Sequence, residues 1–264
     1  MKSNNLPIGI FDSGIGGTSI WKEIKALLPN ENTIYLSDSK NAPYGEKSAQ
    51  EIRDLSIKNT EFLLKQNCKL IVVACNTATT NAIKALREKY TVPFIGIEPA
   101  IKPAALKTKT NIIGILATKG TLISELFEKT SSTIRNQIAI KEKIGTGLVE
   151  LIESGEINSA EIKELLNSYL KPMLKENVDC LVLGCTHYPY LLPQIREIVG
   201  DKMQIIDSGE AVARQTKAVL ARYKLLNTDP VNGTHQFYIN KIKDVLETLL
   251  PKENISLKID EKDF

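Results

Sequence analysis

Two distant segments of the chain follow the same plan, and this repeat restricts the possible folds more than any other feature. The apolar run 70–74 leads into Cys75-Asn-Thr, and the run 181–184 leads into Cys185-Thr-His. A short apolar run bounded by small residues is typical of a buried strand. The repeat therefore predicts two equivalent strands, each with a thiol at its end. It indicates a reaction that needs one thiol on each side of its substrate.

Short β-rich apolar runs alternate with longer amphipathic runs along the chain. This pattern predicts βαβ units, and hence mostly parallel sheets covered by helices on both faces. The opening run 8–13 is matched by 113–118, and each copy is followed by a glycine-containing turn and a helix. The separation from that run to the cysteine is similar in both halves, which indicates an internal duplication. We therefore predict an α/β protein of two similar, doubly wound domains with the active site at their interface.

The same periodicity predicts the bounds of individual elements. Strands are predicted at 8–11, 33–37, 70–74, 94–97 and 204–206, besides those that start at 113 and 181. Helices are predicted at 17–28, 48–66, 79–90, 147–154, 160–175 and 191–199, the second of them opened by the capping box Ser48-x-x-Glu51. The pieces without a counterpart in the second half are 211–224, 236–238, 239–250 and 255–259.

The chain is predicted to cross between the two domains twice. A proline-punctuated piece after Glu98 interrupts the alternation, and Asp207-Ser-Gly precedes the pieces that have no counterpart in the second half. The predicted domains are residues 1–98 together with 208–264, and residues 99–207.

Composition fits an ordinary globular protein and excludes several classes. Of the 264 residues, 42% are hydrophobic and 25% charged, and a net charge of +3 is too small to indicate nucleic-acid binding. The segment before Ile8 has no apolar region long enough for a signal peptide or a membrane span, so we expect a cytoplasmic protein without a membrane partner. Four cysteines do not make a disulfide framework in a chain of this size, and a reducing compartment would keep them as thiols.

Ligands of open α/β sheets bind beyond the carboxyl ends of the strands, so the residues that follow each strand are the candidate site residues. All of them are small, polar or titratable: Asp12, Ser13, Cys75, Asn76, Thr77, Thr118, Cys185, Thr186 and His187. If the two halves face each other, these residues line one cleft, which is a frequent place for a small-molecule site.

The turn after the first strand contains Gly14, Gly16 and Gly17 but does not fit a nucleotide-binding loop. The dinucleotide fingerprint requires a third glycine where Ser19 stands, and no Gly-Lys-Ser/Thr sequence exists for a P-loop. The turn is instead predicted to be a tight βα connection whose N–H groups suit a carboxylate. Asp12, at the end of a buried strand, needs either a partner or a catalytic task.

The remaining cysteines and a histidine leave alternatives open. Cys68 and Cys180 lie ahead of their strands and are predicted to be plain buried side chains. A metal site built from Cys180, Cys185 and His187, which Cys75 could join, is the rival interpretation, although its spacing lacks the C-x2-C pattern of structural zinc. His187 is either a satisfied core histidine or, because it lies two residues after a thiol, a proton carrier.

Three further groups are less specific. The segment 41–45 is a turn sequence, and its place after the second strand suggests that Tyr44 reaches the cleft. Glu150 and Glu153 lie three positions apart on a predicted helix, where a solvated charged face is the default expectation. His235 follows Asn232-Gly-Thr and is predicted to lie in a surface turn.

Four segments together carry a family resemblance. In order and spacing, 11–17 (Phe-Asp-Ser-Gly-Ile-Gly-Gly), 43–45 (Pro-Tyr-Gly), 74–78 (Ala-Cys-Asn-Thr-Ala) and 184–189 (Gly-Cys-Thr-His-Tyr-Pro) closely resemble the glutamate racemases of the cofactor-independent aspartate/glutamate racemase superfamily. The resemblance implies interconversion of L- and D-glutamate without pyridoxal phosphate or metal. It also implies a supply of D-glutamate for bacterial peptidoglycan, and thus for cell-wall biogenesis and cell shape, by a homodimer of two-domain α/β subunits.

Carried over by position, the resemblance assigns the two catalytic thiols to Cys75 and Cys185. It implies that Asp12 and His187 assist them and that Glu153 supports His187. The implied substrate contacts are Asp12, Ser13, Pro43, Tyr44, Gly45, Asn76, Thr77, Thr118, Thr121, Thr186 and His187. Thr79-Thr80 departs from the smaller residues expected there and could alter the packing beneath the first thiol.

The chemistry of racemisation gives an independent reason for paired thiols. One face of the α-carbon must lose a proton and the other must gain one, so a thiolate and a thiol on opposite sides exchange roles with the direction of reaction. A free thiol has a pKa of about 8.5, so a modest shift would suit this task. Two alternatives remain: an aspartate or other amino-acid racemase, which would keep both thiols and differ in the pocket, and a hinged ligand-binding protein, which would perform no chemistry.

Overall fold

The computed structural model describes residues 3–250 and 256–264, and in this part of the chain the strands form a six-stranded and a four-stranded sheet. All strand pairs are parallel, as the alternating pattern predicted. The strands are β1 (Ile8–Asp12), β2 (Thr33–Ser37), β3 (Leu70–Val73), β4 (Phe94–Gly96), β5 (Ile112–Ala117), β6 (Ala139–Ile144), β7 (Cys180–Gly184), β8 (Gln204–Ile206), β9 (His235–Ile239) and β10 (Leu257–Glu261).

The order of the strands confirms the predicted duplication. The first sheet has the order β10-β9-β2-β1-β3-β4 and the second has the order β6-β5-β7-β8. Each half therefore places its first strand between its second and third, with the fourth strand beyond the third. In each half the cysteine comes just after the third strand, β3 or β7, which is the neighbour of the first strand. The two thiols therefore lie at equivalent positions of two similar sheets. The fold is α/β and doubly wound, as predicted.

Helices connect the strands and cover the sheets. They are α1 (Thr18–Leu27), α2 (Ala49–Lys65), α3 (Asn76–Lys89), α4 (Ile101–Lys107), α5 (Lys119–Leu122), α6 (Glu125–Ser132), α7 (Leu148–Glu153), α8 (Ala160–Lys175), α9 (Leu192–Val199), α10 (Gly209–Arg222) and α11 (Asp244–Leu249). The capping box predicted at the start of α2 is present, because Ser48 accepts from the Glu51 N–H and the Glu51 carboxylate accepts from the Ser48 N–H. No helix in the described ranges is long and apolar enough to cross a membrane.

The central strands β1, β3 and β7 are buried on both faces of their sheets. Neighbouring residues of a strand point to opposite faces, and each face has its own apolar core. Ile10 and Val72 pack in one core, whereas Phe11 and Val73 pack in the core on the other face of the first sheet. The first of these cores continues into the second half through Leu181. The two halves are thus joined by apolar packing behind the carboxyl ends of their central strands.

The chain after β8 returns to the first half. Helix α10 packs on α1, and β9 and β10 extend the six-stranded sheet beyond β2. This agrees with the sheet membership expected from the unmatched pieces, although Ile255, the first residue of the last piece, lies outside the described residues. The domain boundaries at 98/99 and 207/208 stay a prediction.

Two predictions about these elements are wrong, and one strand was not predicted. Strand β6 (Ala139–Ile144) is an edge strand that the periodicity did not indicate, since its sequence Ala-Ile-Lys-Glu-Lys-Ile is partly exposed. Helix α3 begins at Asn76 rather than Thr79, because the Cys75 side chain caps it. His235 is not in a surface turn: it begins β9 and is buried, with Nδ1 2.9 Å from Thr33 Oγ1. Burial lowers the pKa of His235 to about 4.

Candidate active site

A narrow cavity of about 10 Å³, room for about one water molecule, lies at the carboxyl ends of the central strands, between the two halves of the chain. A cleft at this place in an α/β fold is a frequent site for a small molecule. Eleven of its lining residues were expected in the site from the sequence, and Val149 was not: the lining residues are Ser13, Pro43, Tyr44, Gly45, Cys75, Asn76, Thr77, Thr118, Val149, Cys185, Thr186 and His187. Three expected residues, Asp12, Thr121 and Glu153, lie directly behind this wall and contact residues that form it.

Both thiols line this one cavity, Cys75 from the first half and Cys185 from the second. Cys75 follows β3 and caps helix α3, where its Sγ accepts a hydrogen bond from the Ala78 N–H at 3.4 Å. The thiol donates to Ser13 Oγ at 3.5 Å. Burial, reinforced by the negative charge of Asp12, raises the pKa of Cys75 to about 12. The modest downward shift expected for this thiol is therefore wrong for the closed cavity, in which Cys75 is protonated.

Asp12 ends β1 and is fully buried behind the cavity wall. Its Oδ2 accepts a hydrogen bond from the Gly14 N–H at 3.0 Å, and its Oδ1 accepts from the Thr186 hydroxyl at 3.1 Å. Thr186 belongs to the second half, so this carboxylate joins the two halves. Burial raises the pKa of Asp12 to about 6, against the opposing effects of His187 and the Gly14 N–H. A carboxyl group with this pKa can accept and return a proton near neutral pH.

A second chain of contacts runs behind the other thiol. His187 Nδ1 lies 3.7 Å from Cys185 Sγ, and His187 Nε2 lies 2.6 Å from Glu153 Oε1. Burial lowers the pKa of His187, but the contacts with Cys185 and Glu153 outweigh it and raise the pKa well above 6.5. Protonated His187 can donate to the sulfur on one side and to the carboxylate on the other. The histidine is therefore placed to hold a negative charge on the Cys185 sulfur.

Glu153 is buried, so the solvated charged face expected for Glu150 and Glu153 is wrong for one of the pair; Glu150 is exposed. The Glu153 carboxylate accepts from the Ile15 N–H at 2.6 Å and from the Ser39 hydroxyl at 2.7 Å. Both donors come from the first half, whereas α7 belongs to the second. These charge-assisted bonds stabilise the buried carboxylate and fix the position of His187.

The turn after β1 packs closely against these two groups. A Cβ atom added at Gly14 would lie 1.9 Å from Glu153 Oε1, and one added at Gly16 would lie 2.3 Å from His187 Nδ1. The turn therefore has no room for side chains at these positions. The glycines allow the backbone of the first half to reach the His187–Glu153 pair, and they do not form a nucleotide loop.

Hydroxyl and amide groups form the rest of the polar wall. Thr77 Oγ1 lies 2.8 Å from Thr118 Oγ1 and 3.2 Å from Thr121 Oγ1, so three hydroxyls meet across the two halves. The Asn76 amide is buried, and neither its nitrogen nor its oxygen has a hydrogen-bond partner among the described residues. Because an unpaired buried amide is costly, this group indicates a polar ligand in the cavity.

The rival metal site finds no support in the part of the chain that the structure describes. There, no group of three or more histidine, cysteine, aspartate or glutamate side chains is arranged to hold a metal ion. Cys180 begins β7 and is buried in an apolar core with Ile113 and Val182, and Cys68 is buried beside Gly9. The plain packing predicted for these two cysteines is what the structure shows.

The sequence did not identify Ser39, Asp38 and Val149 as part of the site. Asp38 directly follows β2, so the rule that selected Asp12 and Cys75 could have selected it as well. Ser39, two residues after β2, was open to the same rule. Val149 carries no such signal, because only the closure of the two halves brings it to the cavity.

The family model described as Asp/Glu/hydantoin racemase matches residues 8–216. The chain belongs to the Asp/Glu/hydantoin racemase family. The glutamate racemase of Ectopseudomonas mendocina is 44% identical over 257 residues, which cover 96% of this chain and 98% of the relative. The chain is accordingly an enzyme of the racemase class, an isomerase.

Solved structures of the family share the fold over nearly the whole chain. A glutamate racemase isoform from Bacillus anthracis superposes with a TM-score of 0.86 at 31% identity, covering 97% of this chain and 98% of the other. The glutamate racemase of Francisella tularensis, solved in complex with D-glutamate, has a TM-score of 0.85 at 30% identity and covers 98% of each chain.

Proposed function

We propose that this racemase interconverts L-glutamate and D-glutamate by a two-base thiol mechanism that uses no cofactor. The observation that carries the proposal is that Cys75 and Cys185, from equivalent strands of the two halves, line the same small cavity. The D-glutamate in the Francisella tularensis structure supports glutamate as the substrate. The two sulfurs give the cavity one base from each half, at equivalent strand ends.

The reaction moves two protons at one carbon. A thiolate removes the α-proton from one face of the substrate, and the electron pair of the C–H bond becomes a carbanion delocalised into the α-carboxylate. The opposite thiol then gives its proton to the other face and becomes the thiolate. We assign the resting thiolate to Cys185, because His187 can hold a negative charge on its sulfur, and the resting thiol to Cys75.

The protons return through the groups behind each sulfur. Asp12 is the acceptor on the Cys75 side, since its pKa of about 6 lets it take and release a proton near neutral pH. His187 has the same task on the Cys185 side, and Glu153 fixes its orientation as a positioning residue. By family resemblance, Cys75 acts on D-glutamate and Cys185 on L-glutamate.

The charge that develops on the substrate needs donors that are already oriented. The unpaired Asn76 amide and the hydroxyls of Ser13, Thr77 and Thr186 are placed for this task, because all four residues line the cavity. The cavity is narrow and most of its lining residues are buried, so few water molecules compete with these donors. The product D-glutamate would serve peptidoglycan synthesis, as the family resemblance implies.

The test is incubation of the protein with L-glutamate in D2O. We expect D-glutamate to accumulate towards an equal mixture and the α-carbon of the product to carry deuterium. L-aspartate in the same assay is the control for substrate choice. Preferred turnover of aspartate would indicate an aspartate racemase, and the absence of α-deuterium with either amino acid would indicate that the assignment of glutamate or aspartate as substrate is wrong.

A further inference from the structure

Asp38 is a buried carboxylate that the proposed mechanism does not use. It directly follows β2, at the same edge of the sheet as the cavity, and is 1% exposed. It accepts hydrogen bonds from the Tyr44 hydroxyl, from Asn41 Nδ2 at 2.7 Å and from Asn240 Nδ2 at 2.5 Å. A fourth donor, Asn59 Nδ2, lies 3.5 Å from Asp38 Oδ2. A buried carboxylate with these donors holds each of them in place, because each donor offsets part of the cost of burying the charge.

Tyr44 connects Asp38 to the cavity wall. Its hydroxyl donates to Asp38 and accepts from Asn59 Nδ2 at 3.1 Å, while Tyr44 and Gly45 line the cavity. Burial and the charge of Asp38 raise the pKa of Tyr44 well above 10, so the hydroxyl stays a donor. The hydroxyl is therefore committed to Asp38, and Tyr44 contributes to the cavity through its ring and backbone.

The turn that contains Tyr44 also closes the cavity against the second half. A Cβ atom added at Gly45 would lie 2.8 Å from Thr118 Cβ, and one added at Gly120 would lie 3.1 Å from the Gly45 carbonyl oxygen. A shift of a few tenths of an ångström in this turn therefore moves the residues that contact Thr118. The position of the turn sets the shape of the substrate site.

Asn240 holds the turn from a distant part of the chain. It follows β9, and its side chain uses both ends: Nδ2 donates to Asp38, and Oδ1 accepts from the Lys40 N–H at 2.8 Å. Asn41 makes a similar bond to Asp38 but belongs to the same loop and moves with it. Asn240 is instead fixed by β9, which pairs with β2 on one side and β10 on the other. It also lies beyond residue 216, where the family match ends.

We propose that Asn240 is a positioning residue for the substrate site, which acts through Asp38 and Tyr44 to fix the cavity wall formed by the turn 43–45. The inference rests on the proposed function and deepens it, because it links the C-terminal part of the chain to substrate affinity. It predicts that the β9 end of the first sheet determines how tightly glutamate is held without changing the proton-transfer groups.

The variants Asn240→Ala and Asn240→Asp test this role in the full chain. Loss of the donor to Asp38 should raise KM for glutamate by about five- to tenfold in both directions with kcat within about twofold, because the thiols are untouched. Asn240→Asp keeps the acceptor for Lys40 but places a second carboxylate against Asp38, so its KM should rise further. Lys241→Ala, at the exposed next position, is the matched control and should keep both constants.

A double-mutant cycle with Tyr44→Phe separates positioning from a general loss of folding. If Asn240 acts through Asp38 and Tyr44, Asn240→Ala should add less than about twofold to KM in the Tyr44→Phe background. A fall in kcat with unchanged KM would indicate loss of folded enzyme and overturn the proposal, as would fully additive effects. Wild-type turnover of glutamate is measured first: its absence would refute the proposed function, whereas turnover with an unchanged KM in both Asn240 variants would refute only the role of Asn240.

Discussion

The two sulfurs of the cavity differ in what surrounds them. Cys75 is a buried thiol at a helix N-terminus with Asp12 behind it, and Cys185 has His187 and Glu153 behind it. The duplicated fold thus presents two similar side chains in two dissimilar environments. In the proposed mechanism a carboxyl group and an imidazole are the proton carriers of the two sides, so each thiol has its own route for regaining its resting protonation state.

Removal of either cavity thiol should stop racemisation. We expect Cys75→Ala and Cys185→Ala each to lower kcat/KM by about 10²- to 10⁴-fold, the range expected for a general acid or base. Cys68→Ala is the matched control, because that cysteine is buried in the first half and does not line the cavity. The measurement is D-glutamate formation from L-glutamate per folded molecule. Retained turnover in the Cys75 variant would contradict the two-base mechanism.

The buried Asp12 should make stability depend on pH. Its pKa rises from 3.8 to about 6 on folding, so the folded protein binds the proton more tightly than the unfolded chain between these values. Stability contributed by the protonated form is present below pH 4 and is lost as pH rises to about 6. Relative to Asp12→Asn, the wild type should therefore lose about 2 kcal/mol of unfolding free energy from pH 4 to pH 7.

Urea unfolding of the two proteins at several pH values measures this difference. Parallel stability curves for wild type and Asp12→Asn would show that Asp12 does not have a raised pKa. The same substitution should lower racemase activity at pH 7, because the amide cannot accept a proton from Cys75. Function would then be the reason for keeping a destabilising charge at this position.

At the level of elements, the turn between β1 and α1 is the part that the site constrains most. Gly16→Ala should displace the His187 ring, because the added methyl would lie 2.3 Å from Nδ1. We expect kcat to fall by about tenfold or more as the ring loses its place beside Cys185. Gly114→Ala is the matched control, since its methyl would meet the flexible Met173 side chain in the core of the second half.

The two glycine variants are compared by melting temperature and by kcat per folded molecule. The Gly114 variant should lose stability and keep its kcat, whereas the Gly16 variant should lose kcat. Equal effects on kcat would mean that the contact between Gly16 and His187 does not position the ring for catalysis.

The sequence predicts elements best where burial gives a clear period. The fully buried strands β1, β3 and β7 and the capped helix α2 are found close to their observed bounds. Strand β6 is missed because an edge strand with lysine and glutamate on it has neither a continuous apolar run nor a clean alternation. The first turn of α3 is missed because Cys75, which caps it, is not a residue that usually signals a helix start.

At the scale of the whole molecule, a buried ion pair of the first half also contacts the segment that follows α10. Lys69 Nζ lies 2.5 Å from Glu31 Oε2, with side-chain exposures of 1% and 2%, and Glu31 Oε1 accepts from the Asn227 N–H at 2.8 Å. Burial lowers the pKa of Lys69, against the opposing contact with Glu31. The pair lies ahead of β2 and β3, at the edge of the sheet opposite the cavity.

Lys69→Met should destabilise the protein strongly, because it leaves the Glu31 carboxylate buried without its cation. We expect a loss of about 3–5 kcal/mol in the free energy of unfolding, and a smaller loss in the double variant Lys69→Met/Glu31→Gln. Urea unfolding gives both values. The kcat of the folded variants should stay unchanged, and a double variant less stable than the single one would contradict this account.

Contacts between parts far apart in sequence explain most of what could not be predicted. The burial of Glu153 depends on Ile15 and Ser39, and the burial of His235 depends on Thr33. No local pattern marks the burial of Glu153 and His235, because their environment exists only after the two halves close and β9 joins β2. The residues at strand ends were identifiable because the rule for parallel sheets fixes their position without knowledge of packing.

The unequal surroundings of the two sulfurs have a consequence for the kinetics. Mirror-image amino acids have the same free energy in water, so a racemase must show equal kcat/KM for both of them, however different the groups on its two sides. The difference between the sulfur beside a carboxyl group and the sulfur beside an imidazole can therefore change kcat and KM only in the same proportion. The enantiomer that is turned over faster must also be the one that saturates the enzyme at a higher concentration.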